Sequence, residues 1–378
     1  MIKLRVEPRQ RVGPAGLAAM VVIAAGFMLL ALAVVFKAVG VAPGRALASL
    51  LTTAFTSGYH FSEALVKTTP IIFTGLAVTC CLKMRLWNIG AEGQLYMGAF
   101  GAVWAAQTFK SLPAWVLVPL MIICAGACGG ALGALVGFLK KRLGVNEILT
   151  SLLLNYVATS LVNYFTYGPW RDPANPGFPI TTRFTPAAQL PTFFNTRLHV
   201  GFPLALAAAA LIWFLIEKTS FGYEIRATGE SAGGARYAGI PIGRNIALIF
   251  ALSGLLAAMA GFGEVAGLHH KLQPGNVSSN YGSYGILVAW LAGANPLALI
   301  PVAFCTGALL IGAESLQISL GVSSDMVQIT IGLLLAIILI CKFFIDNRLV
   351  IVFDQGKGRW REYLLSGLCF STRTPWFI

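Results

Sequence analysis

The sequence predicts an all-α polytopic membrane protein with about ten transmembrane helices. Hydrophobic residues make up 57% of the 378 residues and charged residues only 11%, whereas soluble domains carry about 25% charged residues. Several apolar runs reach the roughly 20 residues that a helix needs to cross the hydrocarbon core. The alternating pattern of an outer-membrane barrel does not occur in the sequence, so a helical bundle in lipid is expected.

Ten predicted spans follow one another along the chain. They cover residues 14–36, 64–82, 88–108, 113–139, 147–167, 199–216, 244–267, 283–294, 297–320 and 326–345. Before the second span, the apolar segment 46–55 is expected to lie along the membrane interface. The eighth span has about half of the length needed to cross. Broken or half-length helices at membrane depth are tolerated only where they are buried or line a cavity, which is typical of transport proteins.

The basic residues predict the orientation of the chain. With the N-terminus inside, the cytoplasmic segments hold the cluster Lys140–Arg142, the arginines of 217–243 and the basic residues of the tail, while the outside loops hold few. This asymmetry is the positive-inside bias, and it explains the net charge of +13 without a nucleic-acid partner. We expect a transmembrane domain over 1–345 with cytoplasmic termini and a cytoplasmic loop at 217–243, followed by a tail at 346–378.

A short pattern occurs twice, at the start of the third and of the eighth predicted span. Asn88-Ile-Gly-Ala-Glu-Gly93 and Asn280-Tyr-Gly-Ser-Tyr-Gly285 both read N-x-G-x-x-G. The predicted topology starts the first copy inside and the second outside, as an inverted repeat requires. Neither copy lies in a βαβ context, so neither indicates a dinucleotide site.

Polar and aromatic residues in the spans are candidates for a translocation pathway, because such residues are costly in lipid and often functional. The candidates are Asn88, Glu92, Gln94, Asn155, Glu264, Tyr284 and Trp290. Plainer roles stay open for each: a helix-end charge for Glu92, packing against a polar neighbour for Glu264, interhelical hydrogen bonding for Asn155 and interfacial anchoring for the aromatic residues.

Motifs for catalysis do not occur in the sequence. There is no G-x-x-x-x-G-K-[ST], no H-E-x-x-H and no G-x-S-x-G, and the four histidines and seven cysteines form no ligand pattern. The cysteines are interpreted as small apolar residues, since six of them lie in or at the edge of apolar spans. We therefore expect no catalytic residue, no metal and no cofactor in this chain.

The loop 217–243 is the longest charged segment between apolar ones in the second half of the chain. We interpret part of it as a short helix, with Thr228 as N-cap, Glu230 in the first turn, Gly239 at the C′ position and Pro241 after the end. A capped, charged helix between two spans lies at the membrane surface, where a soluble protein can bind it. An ordinary solvated loop is the alternative.

Four ordered blocks resemble a known family. They are FSEALVKTTPIIFTGLAV (61–78) with LWNIGAEGQLYMGAFGA (86–102), GVNEILTSLLLNYVA (144–158), GARYAGIPIGRNIALIFALSGLLAAMAGFGEVAGLHHKL (234–272) and YGSYGILVAWLAGANPLALIPVAFCTGALLIGAE (281–314). They resemble the permease subunits of ABC importers for nucleosides and simple sugars, a branch of the branched-chain amino acid permease superfamily. The resemblance covers roughly 60–345, and the tail 351–378 is outside it.

The resemblance implies a type II ABC importer permease fold with inverted repeats, in the inner membrane of a bacterium. It implies a separate cytoplasmic ATPase that binds ATP and magnesium, a second related permease and an external substrate-binding protein. It also implies a coupling helix that docks on the ATPase, comprising Glu230, Ser231, Ala235, Arg236, Tyr237, Ala238, Gly239 and Ile240. Gly233 and Gly234 stand where the family favours alanine, so this helix is expected to start late or to order on docking.

The residues leave rival functions open. An ion-coupled secondary transporter would use Glu264 or Glu314 as its proton or sodium site and would need no partner. A receptor or scaffold is disfavoured by the short eighth span. The solute is not determined by the sequence: nucleosides, simple sugars and other small polar solutes all fit.

Overall fold

The computed structural model describes residues 2–8, 26–27, 29–37, 40–175, 177–193, 195–273, 275 and 277–353. The helices in this part of the chain are α1 (29–37), α2 (Pro43–Thr52), α3 (Gly58–Lys83), α4 (Ala91–Thr108), α5 (Ala114–Leu143), α6 (Glu147–Tyr167), α7 (Gly201–Lys218), α8 (Ser220–Glu230), α9 (Ala232–Tyr237), α10 (Ile242–Gly263), α11 (Tyr281–Leu291), α12 (Leu299–Leu320) and α13 (Ser324–Asp346). Two strands, β1 (Ile2–Pro8) and β2 (Asn347–Phe353), pair in antiparallel register.

The helical membrane fold is confirmed. Helices α3 to α7 and α10 to α13 coincide with the predicted second to tenth spans, whereas most of the predicted first span, 14–36, lies outside the described residues. Six helices of the described part are long and apolar enough to cross a membrane: α3, α5, α6, α7, α10 with the turn that extends it, and α12. Ten spans is therefore an approximate number, and α11 is as short as predicted.

The chain divides into two compact units, Met1–Pro43 with Gly332–Ile378, and Gly44–Ile331. The first unit contains the β1–β2 ribbon, in which Ile2 pairs with Phe353 and Pro8 with Asn347. The sequence reasoning missed this ribbon, although Ile2, Leu4 and Val6 alternate with charged residues at the period of a strand. Residues 354–378 of the predicted tail lie outside the described residues.

In the second unit, α3 is the central helix. It is almost entirely buried, and it packs against α7, α10, α11 and α12. Ser57 caps its start by accepting a hydrogen bond from the amide of His60. A helix surrounded by other helices needs no polar face, which explains why this span carries no helical periodicity in its sequence.

Helices α4, α5 and α10 pack through small residues, as membrane helices do where backbones approach closely. A Cβ on Gly98 of α4 would overlap the backbone of Ala258 in α10, and a Cβ on Gly261 would overlap the carbonyl of Leu95. A Cβ on Gly101 would likewise overlap the carbonyl of Cys124 in α5. These contacts hold the start of α4, where the polar candidates lie, at a defined place inside the bundle.

Candidate functional site

The starts of α4 and α11 meet inside the second unit. The amide of Gly282 donates a hydrogen bond to Glu92 Oε2 at 2.7 Å, and a Cβ on Gly282 would lie 2.5 Å from the Glu92 nitrogen. The two N-x-G-x-x-G segments are therefore in direct contact. The Glu92 carboxylate accepts this amide of α11 and lies at the positive ends of both helices.

Asn88 and Gln94 lie next to this junction and are fully buried. Asn88 Nδ2 donates to Gln94 Oε1 at 2.9 Å and to Ser253 Oγ at 2.7 Å, and Asn88 Oδ1 accepts from the amide of Gly90. Ser253 in turn donates to the carbonyl of Ala77 at 2.6 Å. This network joins α3, α4 and α10. The side chains of Asn88 and Gln94 therefore lie in the packed interior of the bundle.

Asn155 of α6 holds the loop that leads into α4. Its Oδ1 accepts from the amide of Gly93 at 2.8 Å and its Nδ2 donates to the carbonyl of Ile89 at 2.9 Å. Ser151, one turn earlier, accepts from the amide of Ile89. Unpaired backbone groups before a helix start are costly in a membrane, and these two side chains of α6 satisfy several of them.

The other candidates are spread along α10 and α11. Tyr284 is half-buried and lies on the first turn of α11, two residues after Gly282. Trp290 is half-buried near the end of the same helix. Glu264 is buried, with His269 Nε2 at 3.4 Å from its Oε2. The structure thus brings Asn88, Glu92, Gln94 and Asn155 together through hydrogen bonds around the start of α4. Tyr284 follows on the first turn of α11, Glu264 lies just after α10 and Trp290 near the end of α11.

Glu314 of α12 is paired with Lys67 of α3, whose Nζ lies 2.8 Å from Glu314 Oε1. The sequence reasoning missed Lys67, although a lysine nine residues after the start of an apolar helix is itself a signal. Both carboxylates suggested for ion coupling, Glu264 and Glu314, thus have a basic side chain within ion-pair distance.

A π-helical turn, Glu264–His269, extends α10 and is packed against the loop before α7. The ring of His199 is buried against Gly267 of this extension, where a Cβ would lie 2.5 Å from the ring. His199 Nδ1 accepts the amide of Gly201 at 3.0 Å. Burial, with a smaller contribution from His270, lowers the pKa of His199 to about 4, so the ring is neutral near neutral pH.

The charged loop 217–243 folds into two helices, and this corrects the predicted cap. Thr228 is not an N-cap, because it lies inside α8 and its hydroxyl bonds to the carbonyl of Glu224. Ser231 caps α9 by accepting from the amide of Gly234 at 3.1 Å. Glu230 accordingly ends α8 instead of beginning α9, and α9 starts before the two glycines.

Helix α9 is exposed to solvent except for one buried residue. Ala235 is buried, while Arg236, Ala238 and Gly239 are exposed and Tyr237 is 98% exposed. Gly239 has φ +76° and ends the helix as predicted, and Ile240 returns to a half-buried position. An aromatic side chain held in solvent by a capped helix is suited to insertion into a partner protein.

Helix α8 ties this surface to the transmembrane helices. Glu217 at the end of α7 pairs with Lys83 of α3 at 3.3 Å and with Arg226 of α8 at 3.3 Å. Asn245 of α10 donates to Glu224 at 2.7 Å. The Cβ position of Gly229 falls on the carbonyl of Lys83, so α8 lies directly against the end of α3.

The fold defines a polytopic helical membrane protein with an exposed, charged segment between two of its spans, and the described residues hold no cluster of side chains that could bind a metal ion. The chain belongs to the family of permease components of the branched-chain amino acid transport system, whose family model matches residues 60–344. The family consists of ABC transporter permeases, which are transport subunits.

Similar proteins of known name are permeases of nucleoside and sugar ABC transporters. The guanosine ABC transporter permease of Bacillus subtilis is 33% identical over 79% of this chain and 84% of its own length. The glucose ABC transporter permease of Haloferax volcanii is 32% identical over 95% of this chain and 100% of its own. The nucleoside ABC transporter permease of Lactococcus lactis is 27% identical over 86% and 91%.

Proposed function

We propose that this chain is the membrane subunit of an ABC importer that carries a nucleoside or simple sugar across the inner membrane of a bacterium. A separate cytoplasmic ATPase, which binds ATP and magnesium, drives the transport. A second related permease completes the channel, and an external binding protein delivers the solute. The termini and the segment 217–243 are cytoplasmic, and no covalent chemistry takes place on this chain.

The exposed surface of α9 is the observation that carries this proposal. Tyr237 and Arg236 point away from the fold on a helix anchored by Ala235, and α8 connects the surface to α3 and α10. A force applied to α9 therefore reaches the helices that build the α4–α11 junction. The family membership supports an ATPase as the partner, and the relatives named for guanosine, nucleosides and glucose support the solute class.

The test is Tyr237→Ala in the transporter purified with its partners and placed in liposomes. We expect ATP-driven solute uptake to fall at least about tenfold, because a fully exposed aromatic residue at the centre of an interface often carries about 1.4 kcal/mol or more of binding. The folded chain should be unaffected, since Tyr237 has almost no contact within it. Co-purification of the ATPase is measured in parallel.

The matched control is Tyr223→Ala, which removes another exposed tyrosine, on α8, outside the coupling residues. It should leave uptake close to that of the unmodified chain. Gly239→Pro should also abolish uptake, because proline cannot adopt the φ of +76° at this position. Full uptake by both Tyr237→Ala and Gly239→Pro would remove the coupling role of α9.

A further inference from the structure

The ion pair between Lys67 and Glu314 lies well inside the transmembrane helices. Lys67 is nine residues after the start of α3, about 14 Å along the helix, and Glu314 is six residues before the end of α12, about 9 Å. The Lys67 side chain is 16% exposed, whereas that of Glu314 is 49% exposed. The pair thus joins two helices at membrane depth and presents its carboxylate to the medium beside them.

A half-exposed carboxylate at this depth is not compatible with a lipid tail as its neighbour. Charged side chains within transmembrane helices face the bundle interior, a polar partner or a water-filled cavity, because their desolvation in hydrocarbon is costly. Half of the Glu314 side chain lies outside its pair with Lys67, so we expect water or a polar group on that side in the assembled protein.

The same surface continues onto α11. Tyr284 lies on the first turn of α11, whose Tyr281 and Gly285 contact Thr74 of α3, two turns after Lys67. Ser283 beside it is exposed. We call Lys67, Glu314, Tyr284 and Glu92 the polar strip. It contains a cationic donor, two anionic acceptors and a phenol, and it runs from the ion pair to the junction where α4 and α11 begin.

The helices that carry the strip are held rigidly on α3. A Cβ on Gly285 of α11 would lie 2.5 Å from Thr74 Oγ1, and a Cβ on Gly307 of α12 would lie 2.5 Å from Thr68 Oγ1. The hydroxyl of Thr74 also donates to the carbonyl of Tyr281 at 2.9 Å. Side chains on such closely packed helices are pre-positioned, which is what recognition of a small polar solute requires.

We propose that the polar strip lines the solute pathway and binds two neighbouring hydroxyl groups of the solute, with Lys67 donating to one oxygen and Glu314 accepting from the other. This inference rests on the proposed function. Each hydroxyl of a vicinal diol both donates and accepts, so an ammonium beside a carboxylate complements the pair. The ribose of a nucleoside and a simple sugar share this group, whatever else distinguishes them.

The experiment compares solutes that differ by one hydroxyl. The complete transporter, with its ATPase, partner permease and binding protein, is placed in liposomes, and ATP-dependent uptake is measured for guanosine against 2′-deoxyguanosine and for glucose against 2-deoxyglucose. The unmodified protein should favour the intact diol by about tenfold, because the deoxy solute leaves a polar side chain without its partner. Glu314→Gln and Lys67→Met should bring this ratio close to one.

Two further variants separate recognition from folding. Glu314→Asp keeps the negative charge beside Lys67 but shortens the side chain by one carbon, so it should also lower the ratio of diol to deoxy uptake. This variant tests the inference even if the neutral variants assemble poorly. Lys140→Met removes an ion pair of similar length, Lys140 with Glu147 at 2.7 Å, and should leave the ratio unchanged. The binding protein is the same in every sample, so a change in the ratio arises in the membrane chain.

The outcomes distinguish this inference from the proposed function. If the strip variants slow both members of a solute pair equally, the ion pair only joins α3 to α12 and the inference is overturned. Equal uptake of diol and deoxy solute by the unmodified protein also overturns it, while import as such is supported. No ATP-dependent uptake of either diol by the unmodified transporter refutes the nucleoside or sugar importer itself, and the inference with it.

Discussion

At the scale of single residues, His199 shows how a buried polar group constrains this protein. Its ring occupies a space that Gly267 leaves open, and its Nδ1 accepts a hydrogen bond from the amide of Gly201 at the start of α7. A protonated ring would lose that acceptor and place a charge in a buried site near His270. The neutral form is therefore the one that the fold requires.

We expect acidification to destabilise the protein through His199. Its pKa is lowered from 6.5 to about 4 in the folded chain, so below about pH 6.5 the unfolded chain takes up a proton that the folded chain does not. Stability should fall as the pH decreases towards 4, by at most about 3 kcal/mol. The measurement is the unfolding temperature in detergent at about pH 7.5 and about pH 5.

The variant for this prediction is His199→Asn, which retains an acceptor for Gly201 but does not titrate. Its unfolding temperature should depend less on pH than that of the unmodified chain. His60→Asn, at the start of α3, serves as the control for general effects of histidine titration. An equal pH dependence in His199→Asn and the unmodified chain would contradict the assignment.

At the scale of elements, the contact between α4 and α10 is set by glycines. The backbones approach so closely that a Cβ on Gly261 would overlap a carbonyl oxygen of α4, and one on Gly98 would overlap the backbone of Ala258. Because both obstacles are main-chain atoms, neither can move aside without shifting a helix. This contact also positions the turn containing Asn88 and Glu92.

Gly261→Ala should destabilise the chain by about 1–3 kcal/mol, the usual cost of overpacking a closely packed interior. The contrasting variant is Gly233→Ala in α9, where a Cβ would meet nothing within 4 Å. Alanine there should stabilise the helix by up to about 1 kcal/mol. The unfolding temperatures of the two purified variants test this prediction. An unchanged unfolding temperature for Gly261→Ala would contradict the close contact between α4 and α10.

At the scale of the whole molecule, the ion pairs of Glu217 connect α8, which precedes the exposed helix α9, to the membrane helices. Lys83, Glu217 and Arg226 join the ends of α3, α7 and α8, and each pair is partly exposed. Partly exposed pairs contribute only about 0–1 kcal/mol to stability. Removing these ion pairs should therefore change the coupling of ATP hydrolysis to transport more than the stability of the folded chain.

Glu217→Gln should lower the amount of solute moved per ATP hydrolysed several-fold, because the charged bridge from Lys83 through Glu217 to Arg226 would be lost and α8 would be held less firmly to α3 and α7. Assembly and unfolding temperature should change little. The adjacent Lys218, which lies over the ring of Trp213 at 5.7 Å, provides the control variant Lys218→Gln. Uptake and hydrolysis are measured together in liposomes, and an unchanged ratio in Glu217→Gln would show that the coupling takes another route.

The sequence by itself determined the helical membrane fold, the position of the second to tenth predicted spans and the place of the charged segment between α7 and α10. Apolar runs of membrane length, the short α11 and the stop at Gly239 are local features, since each depends on residues adjacent in the chain. The cap of α9 was predicted wrongly because Thr228 and Ser231 are both good capping residues. Packing of α8 against Lys83 decides that the helix boundary falls at Ser231.

Only the tertiary structure decided which polar residues meet. The sequence marks Asn88, Gln94 and Asn155 as costly in lipid, but it does not say that their hydrogen bonds are satisfied by Ser253, Gly93 and Ile89. It likewise does not show that Lys67 lies 2.8 Å from Glu314, 247 positions later in the chain. Hydrogen bonds and ion pairs between helices depend on the angle and depth of packing, and these follow from glycine contacts distributed over the whole bundle.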